Sequence, residues 1–277
     1  MIKAIDVSYC QTDVAYRAVK QDGIGAVMAR NGYLGKKDVE FDKHVRNALA
    51  AGLDVGSYTY ILSETTDSAI REALQTVKRL EPYKGSINYP VFADIEDNKY
   101  LTSRFNKKIR TDILLAFLET INKEGYYPAV YINPSWLECY VDKTKIQGRY
   151  DIWLAAWTEN PNKPTRYDYG QTMWQWGTGK VNGIQGKVDC DIVYCDYPRK
   201  IRGLRKNFLP QYKTVTLAYR AAIRSGPSQS ARKLGVLEAG TKCVFVDKTD
   251  TKDPATGNIY VQLAGGKNQW IVKSAIQ

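Results

Sequence analysis

A chain of 277 residues, 44% hydrophobic and 25% charged, has room for two globular domains, and without a run of about 18 apolar residues it has no membrane-spanning helix. Its one histidine, His44, excludes the multi-imidazole zinc hydrolases, and its five scattered cysteines, with no C-x-x-C pair, exclude a disulfide framework or zinc knuckle. The net charge of +11 is uneven: residues 201–277 hold 13 Lys and Arg against 4 Asp and Glu, while residues 1–200 are nearly balanced, so the tail should attract polyanions such as nucleic acid or an anionic bacterial wall.

The chain opens with MIKAIDVSYC, which lacks a basic start followed by an apolar stretch. No secretory signal is expected, and synthesis in the cytoplasm is, whatever the final place of work. Strand-like segments then follow in order: KAIDVSY, GAVMARNG, LDVGSYTYIL, YPVFADIED, YPAVYIN, IWLAAW, MWQWGT and CDIVYC. The first five are spaced widely enough for helices between them. His44 lies in one such helix beside an apolar stripe of Phe41, Val45 and Leu49, and is expected on the helix surface. The strongest helix signal runs over 103–125, with Phe105, Ile109, Ile113, Phe117 and Ile121 on one face, Ser103 as N-cap and Gly125 as stop.

Beyond Tyr131 the intervals are short or broken by proline, so the pattern predicts an α/β fold: an irregular (β/α) barrel with regular helices mainly in its first half. An open doubly wound sheet is the competing topology, but no G-x-G-x-x-G follows a strand, so no dinucleotide cofactor is expected. The expected domains are 1–200, a basic linker over 201–213, and a small all-β barrel over 214–277.

Without usable imidazoles, acid and base chemistry must come from carboxylates. In VFADIEDN, Asp94 and Glu96 are two residues apart on a strand and therefore share a face, roughly 6–7 Å apart at Cα; Asp97 faces the other way. Two carboxylates this close disfavour joint ionisation, so one can hold a proton near neutrality. Asp6 ends the first strand in a similar way, and Asp189 begins the last. Alone, a D-x-E at a strand end is usually an ion pair or a solvated turn; four acids at strand ends of one barrel say more. The chain also has 20 tyrosines against 6 phenylalanines, and Tyr58, Tyr60, Tyr131, Trp157 and Trp174 lie near strand ends, the amphipathic surface that a sugar ring needs.

These segments, in order, resemble family-25 glycoside hydrolases, the lysozyme family of many phage endolysins and bacterial autolysins. AIDVSYCQ, the G-x-Y-x-Y segment GSYTYIL, VFADIEDN, DIWLAAW and MWQWGTGKVNGIQGKVDCDIV carry the resemblance over about residues 1–198. It implies Glu96 as general acid, Asp94 as a stabilising or orienting carboxylate, and Asp6 and Asp189 completing the cluster, with Tyr58, Tyr60 and Trp174 in the sugar subsites. The implied reaction cuts the β-1,4 bond between N-acetylmuramic acid and N-acetylglucosamine, with no metal or other cofactor. Either direct attack by water or participation of the substrate's N-acetyl group completes it, and the adjacent D-x-E favours participation. The chain departs from the family pattern at Asp191, where many members have Asn, and at Thr59, where many have His. The stretch IRSGPSQSARKLGVLEAGTKC with NQWIVKSAI resembles a bacterial SH3-type wall-binding module, which implies peptidoglycan, and anionic wall polymers, as partners.

The reading is therefore an endolysin-like muramidase; a bacterial autolysin is its near neighbour. A non-catalytic wall-binding or lectin-like protein is a second class, opposed by the four retained acids. An amidase or peptidase is opposed by the scarcity of histidine, and nucleic-acid binding through the basic tail lacks any recognised motif.

Overall fold

Alternation along the first strand sets the architecture. In β1 (Ile2–Val7), Ala4 packs with one apolar cluster while Ile5 and Val7 pack with another, so the strand separates two cores. The same division recurs around the barrel. Ala26 and Met28 of β2 (Ile24–Tyr33), Tyr58 of β4 (Asp54–Tyr60), Phe92 of β5 (Val91–Asp94) and Ala129 and Tyr131 of β6 (Pro128–Ile132) face the lumen. Trp153 of β7 (Asp151–Ala155), Met173 of β8 (Met173–Gly179) and Val193 of β9 (Val188–Val193) complete that inner cluster. Their neighbours point outward into the layer shared with the helices. Both faces of each strand are buried, as a barrel sheathed by helices requires.

The molecule is described from a computed structural model that covers all residues except 34, 97–102, 159–161, 163–164, 209–211, 247–249, 264–268 and 277; at 205–208, 212–214 and 246 only the backbone is described. Asp97 therefore lies outside the described residues. The chain divides into two units, Met1–Leu204 and Arg205–Gln277.

In the first unit the neighbours run β1-β9-β8-β7-β6-β5-β4-β2, and β1 pairs back with β2, which closes an eight-stranded barrel; the short β3 (Lys36–Lys37) hangs on β2 as a hairpin. The expected irregular (β/α) barrel is thus the fold. Seven of its strands are parallel in sequence, whereas β9 runs antiparallel to both β8 and β1. That reversal matters for the site: it brings the beginning of β9 to the rim where the other strands end.

Helices α1 (Tyr16–Gln21), α2 (Phe41–Ala50), α3 (Thr66–Leu80) and α4 (Lys107–Lys123) fill the first-half connections. In α4, Ile113, Leu114, Phe117, Leu118 and Ile121 form the buried stripe, while Ile109 is 39% exposed. The helix starts later than the sequence predicts. Asn106, not Ser103, is the N-cap, its side chain accepting from the Ile109 N–H at 3.0 Å, because Asn ranks with Ser as a cap and stands where the regular turns begin. After β6 the connections shrink to single turns at Trp136–Tyr140 and Lys143–Lys145, in keeping with the prolines there.

Two expectations are corrected. The stretch expected as a basic linker over 201–213 is largely helix α5 (Tyr197–Phe208), whose Tyr197 and Ile201 join Tyr89 in the inner cluster and close the lumen at the strands' N-terminal end. Its basic residues alternate with a helical apolar stripe, and the stripe decides. His44 is not on the helix surface but 1% exposed. Its Nε2 lies 2.9 Å from the Ser8 carbonyl, which can only accept, so that nitrogen carries the proton and Nδ1 accepts from the Tyr16 hydroxyl at 2.6 Å. Burial lowers its pKa, and the neutral ring serves as a brace for the loop after Asp6.

Apart from the end of α5 and a 3-10 turn at Lys273–Ala275, the described regular elements of the second unit are strands. β10 (Tyr212–Thr216) pairs with β13 (Lys242–Val246), and β12 (Lys233–Leu237), β11 (Ala221–Arg224), β16 (Trp270–Val272), β15 (Ile259–Gln262) and β14 (Thr251–Lys252) form a second antiparallel sheet. Leu217, Ala221, Phe245, Val261, Leu263, Ile271 and Ala275 form its core. Asp253 ties the SGPSQS segment down: its carboxylate accepts from the backbone N–H of Gln229 at 2.9 Å and of Ala255 at 3.0 Å, which holds its pKa down at about 2.

Candidate active site

The lumen-facing positions nearest the C-terminal rim are polar where those beneath are apolar. On β1, Ala4 is followed two residues on by Asp6; on β2, Met28 by Arg30; on β5, Phe92 by Asp94, with Glu96 two residues beyond the strand's end; on β8, Met173 by Gln175. Period-two alternation carries each of these side chains to the mouth of the barrel. The result is a cavity of about 280 Å³ lined by Asp6, Ser8, Arg30, Tyr33, Tyr58, Tyr60, Asp94, Glu96, Tyr131, Trp153, Gln175 and Asp189.

Asp6 and Asp189 are direct register partners across the antiparallel β1–β9 pair. An aspartate that begins a strand meets one that ends a strand only because β9 is reversed. Asp94 is 3% exposed and Asp6 6%, while Glu96 and Asp189 are half-buried. Burial pushes the Asp6 carboxyl well above the usual carboxylate range, and Asp189 and Glu96 add to it against the opposing pull of Gln175 and Arg30. Burial likewise raises Asp94, with Glu96 and Asp6 adding to it and Arg30 opposing, and burial raises Asp189. Interacting acids of this kind share their protons as a group. Tyr58 and Tyr131 are raised too, chiefly by burial, so both phenols stay protonated, and Tyr131 donates to Gln175 Oε1 at 3.0 Å.

Sequence reasoning missed Gln175, Arg30 and Trp153. Gln175 is 3% exposed and connects three groups: its Nε2 donates to Asp6 Oδ2 at 2.9 Å, and its Oε1 accepts from Tyr131 at 3.0 Å and from the Trp157 indole at 2.9 Å. Arg30 is the cation of the cavity lining; its Nε donates to Asp38 at 2.8 Å and its guanidinium lies over the Tyr9 and Tyr33 rings at 4.9 and 5.4 Å. Trp153 is the floor, in edge-to-face contact with Tyr131, Phe92 and Tyr58 at 4.6, 4.9 and 5.9 Å. Its indole N–H donates at 2.8 Å to Asp191, which lies below the acids in the lumen, 1% exposed.

The structure brings Asp6, Asp94, Glu96, Asp189, Tyr58, Tyr60 and Tyr131 to one cavity. Trp157 lies beside it, 64% exposed, in a neighbouring groove, tied to the cavity through Gln175. Trp174 departs from its expected place in a sugar subsite. It is 1% exposed, outside the cavity lining, with its indole N–H on the Ala156 carbonyl at 2.7 Å. Parity is the reason: Gln175 faces the lumen, so Trp174 faces away. Thr59, the departure from the family pattern, also faces outward, its hydroxyl 2.9 Å from that of Thr76 on α3.

Residues 5–184 match the model of glycosyl hydrolases family 25. The chain belongs to that family. Among solved structures, this family-25 chain is similar to the modular autolysin LytC from Streptococcus pneumoniae, at 25% identity and a TM-score of 0.59 over 69% of this chain and 46% of that one. A second structure of that autolysin holds a synthetic peptidoglycan ligand. The match thus spans about half the length of the autolysin. The chain is also similar to the CTP1L endolysin, at 25% identity and TM-score 0.61 over 73% of this chain and 70% of that one. The catalytic domain of endolysin ply40 from bacteriophage P40 of Listeria monocytogenes matches at 24% identity and TM-score 0.62, over 73% and 98%. Comparison with curated proteins finds no match.

Proposed function

We propose that this family-25 chain is a peptidoglycan hydrolase, a muramidase that cuts the β-1,4 bond between N-acetylmuramic acid and N-acetylglucosamine in the bacterial wall. The observation that carries the reading is the convergence of Asp6, Asp94, Glu96 and Asp189 on one cavity with protonated tyrosines around them. Burial and mutual repulsion make that cluster hold its protons more tightly than free carboxylates do, which is what a general acid needs. Glu96, half-buried and beside Asp94, delivers a proton to the leaving glycosidic oxygen. Asp94 orients the N-acetyl group of the cleaved ring, which attacks the anomeric carbon, and water then opens the resulting ring. Tyr58, Tyr60 and Tyr131 offer donors and apolar ring faces to the sugar.

The second unit is proposed to hold the enzyme on the wall. Its SH3-like sequence signature and its excess of basic residues support this reading. The role is that of a wall-lysing enzyme of the endolysin or autolysin kind.

Mass spectrometry of fragments released from purified peptidoglycan names the bond. Glu96→Gln is nearly isosteric but has no acidic proton, so reducing-end release is expected to fall by about 10²–10⁴-fold with the fold intact. Activity within tenfold of the parent removes Glu96 from the acid role. NMR of the first-formed product is expected to show retained anomeric configuration; inversion rules out N-acetyl participation.

A further inference from the structure

Next to the acid cavity runs a larger groove of about 540 Å³, lined by described residues that follow β6 and β7. Asn133, Ser135, Trp157, Thr165, Arg166 and Tyr167 line it. Three features separate it from an accidental furrow. Trp157 is 64% exposed and yet fixed, because its indole N–H donates to Gln175, the residue that also bonds Asp6 and Tyr131. The groove and the acid cavity are therefore joined by a hydrogen bond between a side chain of each. The charge of the two is also opposite. The cavity is lined by four acids, whereas the described lining of the groove has one cation, Arg166, and no acid. Finally, Arg166 is backed by aromatic surface: its guanidinium lies 4.8 Å over the Tyr167 ring, and Tyr167 stacks on Tyr169 at 5.9 Å with the planes 15° apart. A guanidinium held on a ring face presents its N–H fork in a limited set of directions, a geometry suited to carboxylates.

We infer that this groove binds the stem peptide of the substrate, the short carboxylate-bearing peptide attached to the lactyl group of N-acetylmuramic acid. The inference rests on the muramidase reading. In that reaction the ring cleaved at its anomeric carbon is itself the ring that bears the peptide, so a peptide leaves the acid cavity with every productive encounter. A cavity of about 280 Å³ is at the small end for ligand sites and has no space for the peptide as well as the ring. The groove beyond Gln175 receives it: Trp157 covers the peptide's first residues, Ser135 and Asn133 offer polar partners, and Arg166 pairs with a carboxylate. A neutral sugar in the same place would have no use for the cation. Arg166 is thus a specificity-determining residue that distinguishes peptide-bearing from bare glycan.

The test uses the full-length protein on two preparations of one glycan, strands bearing stem peptides and the same strands stripped of them by an amidase, with reducing-end release as readout. The wild type is expected to have a higher kcat/KM on peptide-bearing strands. Arg166→Glu is expected to lower the ratio of the two kcat/KM values tenfold or more, through KM, and Arg166→Lys, which keeps the charge but not the fork, to lower it by a smaller factor. Because Arg166 is exposed, the charge reversal leaves the core untouched. An equal loss on both preparations assigns the groove to a further sugar and overturns the inference; so does an unchanged ratio. If the wild type releases no reducing ends from either preparation, the hydrolase reading itself falls, a result distinct from both.

Discussion

Asp191 is the lumen carboxylate that lies outside the proposed acid cluster, and its surroundings make it a liability. It is 1% exposed; one oxygen accepts from Trp153, and the other finds no hydrogen-bond partner among the described residues. Burial, with Asp6 and then Asp189 adding to it and the Trp153 bond opposing, raises its pKa well above the usual range. The folded protein therefore binds this proton more tightly than the unfolded chain. Ionising Asp191 opposes folding, and its share of stability declines as pH rises from the unfolded value near 3.8 to the higher folded one. Asp191→Asn keeps the acceptor for Trp153 and removes the titration. Thermal unfolding should show the variant more stable at pH 7 by about 1–3 kcal/mol, the scale of one unsatisfied buried polar group, with the gain shrinking towards pH 4. Equal gains at both pH values, or none, contradict this account. At this scale the sequence was legible for the acids, since parity and strand ends place Asp6, Asp94 and Glu96 together. It misled at Trp174, where nearness to a strand end was read without the parity that Gln175 imposes. Gln175 itself was illegible, because an isolated glutamine on a strand carries no signal until its three partners are in space.

At the scale of elements, two strand irregularities adjoin the cavity. The β2–β4 register shifts between Arg30 and Gly32, and the β8–β9 register shifts between Gln175 and Gly177. A bulge re-aims the side chain next to it, and here the neighbours are the cavity's cation and its hydrogen-bonding centre. Gly177 makes the second one possible, with φ of +146°, a conformation that side-chain-bearing residues rarely adopt. A Cβ there would meet nothing closer than the Thr158 carbonyl at 3.6 Å, so any cost of Gly177→Ala comes from the backbone and not from crowding. The substitution is expected to destabilise by about 1–3 kcal/mol in denaturant titrations, as strained backbone positions do. Cleavage should fall further than that loss of folded protein accounts for, because Gln175 shifts away from Asp6 and Tyr131. An alanine variant with parental stability and rate shows that the bulge needs no glycine. All eight barrel strands could be read from alternation and glycine-bounded apolar runs, since those patterns are local. The direction of β9 could not. Strand polarity follows from the length of the connection and from which neighbour completes the barrel, and neither leaves a mark on CDIVYC.

For the whole molecule, the division of charge between the units is the property that bears on function. The segment 201–277 carries 13 basic against 4 acidic residues, whereas the remainder is nearly neutral. An even distribution would give the first unit a field that draws it to any polyanion; concentrating the charge leaves that attraction to the second unit. Such attraction is screened over about 8–10 Å at physiological salt, so it acts on a surface already close and weakens as salt rises. Truncation after Leu204, at the boundary between the units, should therefore separate the proposed cleavage from the proposed wall attachment. The shortened chain is expected to release reducing ends from small soluble muropeptides at a rate within about threefold of the full chain, since Asp6, Asp94, Glu96 and Asp189 all lie before the cut. On intact walls at low salt, co-sedimentation of the shortened chain is expected to fall tenfold or more, and the gap between the two chains should narrow as sodium chloride is raised. If the shortened chain sediments as the full chain does, wall attachment belongs to the barrel. If the gap persists at high salt, attachment by the second unit rests on a shaped contact, and its charge serves only the approach.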